Sequence, residues 1–172
     1  MSLRKQTEDA IIEYNKSKEE IVSTLSAIVD KYNDSSFLMS IADQVFLELE
    51  KNIHEAVERL EFSATFNLEN FGSQLFHEYS ASVMPLIKEH NLKYESKQGS
   101  YISKALEYDF QFGSFYKKTA GSVFNLVQEK LKSKYPDDNL DIRFSCSPNI
   151  VEHIQYDPVY SFGGEGTIFV GW

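Results

Sequence analysis

The feature that most restricts how this chain can fold is an apolar stripe in its first third. Leu38, Ile41, Ala42, Val45, Phe46, Leu49, Ile53, Ala56, Val57 and Leu60 recur three and four residues apart. Residues at that spacing share one face of an α-helix, so the stripe predicts a helix of about six turns. Such a helix persists only where its apolar face is covered by other parts of the fold. A second series, Ile11, Ile12, Ile21, Val22, Leu25, Ile28, Val29 and Tyr32, predicts a helix upstream of it. Between the two, Asn33-Asp34-Ser35-Ser36 interrupts the pattern and offers side chains that can cap the second helix. Two long antiparallel helices joined by a short turn are the simplest geometry for these stripes.

The pattern loosens from Phe62 to Phe71. A third helix is expected from Glu69 to about Lys88, burying Leu75, Phe76, Tyr79, Val83 and Leu86, with Pro85 ending or kinking it. The polar run 94–100, which contains Gly99, reads as a linker. After it the period changes to two. Leu106, Tyr108, Phe110 and Phe112 alternate with Glu107, Asp109, Gln111 and Gly113, the pattern of a half-buried strand. Tyr116, Ala120, Val123, Phe124, Val127 and Leu131 predict a helix next, closed by a turn at Pro136-Asp-Asp-Asn139. Leu140, Ile142, Phe144 and Cys146 then alternate as a strand that Pro148 should end. Weaker strand signals come next at 150–155 and 156–162, divided by Asp157-Pro158, and a last strand covers 167–172.

These elements imply an α+β fold. An N-terminal helical hairpin or bundle of about three helices precedes a mostly antiparallel sheet of three to four strands with one crossover helix. In domain terms the expectation is an acidic helical region over 1–93, a linker over 94–100, and an α+β region over 101–172, packed as one compact unit. The chain has 172 residues, enough to build a core without staples. Thirteen Phe, ten Tyr and one Trp supply bulky material for it.

Charge narrows the function classes. The formal net charge is −9. Residues 1–100 hold ten Lys and Arg against seventeen Asp and Glu, and residues 101–172 hold seven against nine. A nucleic-acid binder needs clustered cations to displace the counterions of phosphates, so this balance disfavours one. Lys117, Lys118, Lys130, Lys132 and Lys134 do make one helix locally basic, a pattern that fits a solvated helix face. The single cysteine, Cys146, excludes an internal disulfide and multi-cysteine zinc sites, and suits a reducing, cytoplasmic setting. The N-terminal residues show no apolar core of a signal peptide, and no run of eighteen apolar residues predicts a membrane span.

Candidate chemistry is sparse. Gly163-Gly-Glu-Gly166 could cradle a phosphate, but it leads into the strand-like Thr-Ile-Phe-Val-Gly-Trp, where such a loop needs a helix N-terminus. A hairpin turn is the expected role. Glu50, His54 and Glu58, with Glu61 one turn on, stack along one side of the second helix as a possible metal column, yet they lack the repeated motifs of a helical metal centre. Cys146 with His153 and Asp141 or Asp157 could form a nucleophilic set, but the alternation places Cys146 with the core-facing residues. His77 and His90 read as surface or capping residues. Neither a cofactor nor a metal is expected.

The acidic second helix is the strongest remaining signal. Asp43, Glu48, Glu50, Glu55, Glu58 and Glu61 face only Lys51 and Arg59 in that window. The expected activity is therefore binding: an inhibitor or immunity-type protein docking on the basic surface of a protein such as a nuclease. The expected contact residues are Glu50, Glu55, Glu58 and Glu61, with Tyr156, Tyr160 and Trp172 as aromatic anchors. The alternative expectation is an enzyme acting on nucleic acid or a nucleotide, its site assembled from dispersed residues. A homo-oligomer built through the N-terminal helices is a third, so oligomeric state stays open.

Overall fold

A computed structural model describes residues 2–94, 101–155 and 157–172, with the backbone alone for 69–73, 101–107, 109–110, 147–155 and 157–165. The fold is α+β, mostly helical, with one small antiparallel sheet. The elements are α1 (Leu3–Asn33), α2 (Ser35–Glu58), β1 (Ser63–Asn67), α3 (Glu69–Ser82), α4 (Met84–Tyr94), α5 (Tyr101–Lys134), β2 (Asp141–Gln155) and β3 (Asp157–Gly171). From residue 95 on, the expected linker lies outside the described residues.

Local chemistry sets several of these boundaries. Asp34 alone separates α1 from α2, and its Oδ1 accepts a hydrogen bond from the Phe37 amide at 2.9 Å, an N-cap for α2. The helix expected from Glu69 to about Lys88 ends at Ser82, near Pro85, and a separate helix, α4, follows it. Pro85 sits in the first turn of α4, where a missing N–H costs nothing.

The α1 and α2 stripes divide between two cores. One core gathers Ile21, Leu25, Ile28 and Tyr32 of α1 with Leu75 and Tyr79 of α3, Ile87 of α4 and the first half of α5. The other gathers Ala42, Val45, Leu49, Ile53 and Ala56 of α2 with Ala64 of β1, Leu68, the second half of α5, and Ile168 and Val170 of β3. At 34 residues, about 50 Å long, α5 is the spine that both cores share. Ile11, Ile12 and Val22, expected to bury with α1, are exposed.

The strand expected at 106–113 is instead the first part of α5. Tyr108, Phe112, Phe115 and Tyr116 are buried at helical spacing. Tyr108 and Phe112 satisfy both a period of two and a period of four, and the tertiary partner decides between them. Phe112 stacks on Tyr79 with ring centroids 4.1 Å apart.

The sheet order is β1-β3-β2. β1, unexpected from the sequence, pairs with β3 from Ser63↔Gly171 to Asn67↔Thr167, and β2 pairs with β3 along its whole length. The four short C-terminal strands expected are thus two long ones. Pro148 does not end β2, for a reason in the register. Gly166 and Trp172 of the β3 segment exchange hydrogen bonds with Leu68 and Phe62, toward β1. Even-numbered β3 positions therefore face β1, and the β2 residues opposite them turn their backbone groups to the open edge. Pro148, opposite Gly164, loses no ladder bond there.

Nor do the glycines form a turn. Gly163, Gly164 and Gly166 are paired within β3, opposite Asn149, Pro148 and Cys146. The pairing of β2 with β3 runs as far as Gln155↔Asp157. At Gly166 the requirement is space. A Cβ there would lie 3.1 Å from Leu68 Cβ, and the Leu68 amide donates to the Gly166 carbonyl at 2.7 Å.

Candidate functional site

The second helix and the strand after it position the acidic residues. α2 is pinned to β1 by Asn52, whose Nδ2 donates to the Thr65 carbonyl at 2.8 Å. Its C-terminus closes with two backbone hydrogen bonds, Glu61 N–H to Ala56 at 2.9 Å and Leu60 N–H to Val57 at 3.0 Å. That is the Schellman arrangement, which places one residue in the left-handed region. Leu60 occupies it with φ of 60°. Glycine is the usual residue there, and a side chain with a Cβ costs about 1–2 kcal/mol. The chain then reverses into β1, and the Phe62 carbonyl accepts from the Trp172 amide at 3.1 Å.

The stripe's last two members therefore do not bury. Val57 is 51% exposed, Leu60 86%, and neighbouring Phe62 75%. The helix ends at Glu58 and the left-handed residue turns the chain before Leu60 can reach the core. Three large apolar side chains in six residues thus face solvent at the corner between α2 and β1.

Carboxylates alternate with them along the chain. Glu55 lies between Lys51 at 4.0 Å and Arg59 at 3.9 Å. Arg59 grips Glu61 with both Nε (3.2 Å) and Nη2 (3.1 Å), and the pairing raises the guanidinium pKa. Glu58 is exposed and forms no ion pair among the described residues. Three carboxylates therefore meet two cations at this corner.

Glu50 belongs elsewhere. It is half-buried, accepts a hydrogen bond from Tyr135 Oη at 3.2 Å, and is paired with Lys134. The Lys134 ammonium holds its carboxyl below the ordinary range, against the opposing effect of burial. Expected on the docking face, Glu50 is a clasp between α2 and α5, because α5 presents a cation where the sequence alone showed an unopposed acid. Asp43 is likewise paired with Lys130 at 2.6 Å. These contacts absorb two of the five lysines expected on the solvated face of α5. A groove of about 710 Å³ between the helices is lined by Met39, Phe46, Leu47, Leu126 and the Asp43–Lys130 pair.

The aromatic anchors fare unevenly. Trp172 is half-buried against the second core, next to Phe62 through its backbone bond. Tyr156 and the Tyr160 side chain lie outside the described residues.

Catalytic sets gain no geometry. Cys146 is half-buried against the first core, and burial pushes its thiol pKa up, with Lys117 opposing. Asp141 is engaged by Arg143, whose Nε donates to Oδ1 at 3.0 Å. The His153 and Asp157 side chains lie outside the described residues. With Glu50 engaged by Lys134, the Glu50–His54–Glu58 column loses one of its ligands. Among the described residues no group of three His, Cys, Asp or Glu side chains could hold a metal ion, and no helix is long and apolar enough to cross a membrane. His90, expected at the surface or a cap, is buried between α1 and α4 with Nδ1 2.9 Å from Ser17 Oγ.

Comparison with protein-family models, with curated proteins and with solved structures finds no match.

Periodicity alone overlooks Phe62 and places Leu60 in the core. One signal in the sequence points the other way. Glu58-Arg59-Leu60-Glu61 follows the stripe with three charged residues and no glycine, so any left-handed C-cap has to use an unfavourable residue.

Proposed function

We propose that this chain is a binding protein that docks on a basic surface of another macromolecule, in the manner of an inhibitor or immunity-type protein covering a nuclease. The observation that carries the reading is the exposed carboxylate group Glu55, Glu58 and Glu61 at one corner of a chain with net charge −9. An acidic field of this kind steers a cationic partner and raises its association rate. Individual surface ion pairs contribute little, about 0–1 kcal/mol each, so Lys51 and Arg59 can release these carboxylates to a partner at small cost. A cytoplasmic location, where the lone thiol of Cys146 stays reduced, belongs to the same proposal.

The test compares two triple variants of equal net charge. One reverses Glu55, Glu58 and Glu61 to Lys. The other reverses the exposed α1 residues Glu8, Asp9 and Glu19 to Lys. Binding of a labelled oligo-lysine is measured by fluorescence anisotropy over a salt series. The corner variant should lose about ten-fold more affinity than the α1 variant, and the difference should shrink as salt rises. Equal losses would show a diffuse charge effect and no docking face.

A further inference from the structure

The acidic corner also presents apolar side chains, and none of them belongs to either buried core. Val57, Leu60 and Phe62 are exposed within six residues of each other. Leu60 is the most exposed of them and occupies a left-handed position that glycine would hold without strain. A strained, solvent-facing leucine contributes nothing to the cores, whose members near this corner are Ala56, Ala64 and Val170. The left-handed turn that closes α2 needs no side chain, so a leucine held there against the strain points to a use for the side chain itself.

We infer that Leu60 and Phe62 are the apolar anchors of a protein-docking site, and that its partner offers an apolar depression flanked by lysine or arginine side chains. The inference rests on the docking reading above and names the partner's chemistry. Complementary charge selects the occupant. Glu55, Glu58 and Glu61 lie within a few residues of the anchors in the chain, and Glu58 has no ion pair among the described residues. A second copy of this chain would bring its own net charge of −9 against −9, so self-association is opposed by the charge of the whole chain. A membrane surface is opposed for the same reason, since anionic headgroups attract basic segments. The corner combines exposed apolar side chains with charged ones, the two kinds of group that protein interfaces combine.

Its location also fits a rigid anchor. Bonds on either side hold the loop that carries Leu60 and Phe62, the Schellman pair at the end of α2 and the Trp172 amide on the Phe62 carbonyl. Asn52 ties α2 to β1 behind it. A side chain presented from so constrained a loop loses little conformational freedom on binding.

The experiment uses the full chain, a labelled amphipathic peptide of leucine and lysine, and an oligo-lysine of equal charge. The wild type should bind the amphipathic peptide about ten-fold more tightly or better. Leu60→Gly and Phe62→Ser should each remove most of that advantage and leave oligo-lysine affinity unchanged. Leu60→Gly should also melt no lower than the wild type, since it relieves the left-handed strain, so lost binding could not be blamed on lost structure. Equal affinity for the two probes, or variants that bind the amphipathic peptide as the wild type does, would overturn the anchor assignment while the docking reading survives. If oligo-lysine does not distinguish the corner reversals from the α1 reversals, the docking reading falls and the anchors fall with it.

Discussion

Replacing Gly166 by alanine should destabilise the protein, although the same change at a generic strand glycine would be neutral or helpful. The Cβ it adds lies 3.1 Å from Leu68 Cβ and 3.2 Å from Leu68 Cδ1. Leu68 is in no position to yield. It is 1% exposed, belongs to the second core, and its amide is bonded to the carbonyl of Gly166 itself at 2.7 Å. Overpacking against so fixed a neighbour costs about 1–3 kcal/mol. Loss of glycine's freedom in the unfolded chain returns about 0.4–1 kcal/mol. The net loss of about 0–2.6 kcal/mol, centred on about 1.3 kcal/mol, corresponds at its centre to a drop of about 3–5 °C in Tm for a chain of this length. Gly121→Ala is the internal control, because a Cβ on that α5 residue meets nothing within 4 Å. That substitution should gain about 0.5–1 kcal/mol from helix propensity alone. Calorimetric melts and urea titrations of both variants decide the matter. A Gly166→Ala protein as stable as Gly121→Ala would refute close packing against Leu68 as the reason for this glycine.

Two further outcomes rest on the packing and the charges. Phe112→Ala removes a fully buried ring stacked on Tyr79 at 4.1 Å, so urea unfolding should register a loss of about 3–5 kcal/mol; a loss below about 1 kcal/mol would contradict its place in the first core. Glu78 accepts hydrogen bonds from Lys31 Nζ at 2.8 Å and Tyr32 Oη at 2.7 Å, and the Lys31 bond holds its carboxyl below the ordinary value. A carboxylate with a depressed folded pKa adds stability above its unfolded pKa, about 4.3, and loses it as pH falls through the folded value. Glu78→Gln should therefore cost about 1 kcal/mol at neutral pH and flatten the decline in stability between about pH 5 and 3. Urea midpoints across that range that fall in parallel for both proteins would count against the contact.

The helical half is legible because its signals are local. The Asp34 cap, the α1 and α2 stripes, and the position of α3 depend on residues within a few turns of one another. Where two local patterns coincide, the sequence does not decide between them. Tyr108 and Phe112 suit a strand as well as a helix, and only Tyr79, some thirty residues upstream, separates the two. Pro148 and Gly166 mark real constraints on the chain, but neither is a break. In an edge strand a proline nitrogen can face outward, and a glycine can serve a neighbour's side chain instead of a turn.

The candidate site divides the same way. Composition alone shows an acidic helix, and Glu55, Glu58 and Glu61 are indeed gathered at its exposed end. Glu50 is indistinguishable from them in the sequence, since its cation, Lys134, is more than eighty residues away. Leu60 matches the core stripe by spacing, but spacing is silent about where a helix stops. What the sequence determined by itself is the α+β class, the helices α1 and α2 and the excess of carboxylates, all properties of neighbouring residues. Only the tertiary structure decided which acids are neutralised across elements and which apolar residues remain outside. Those outcomes depend on where the ends of α2, β1 and β3 meet in space, and local periodicity carries no information about that meeting.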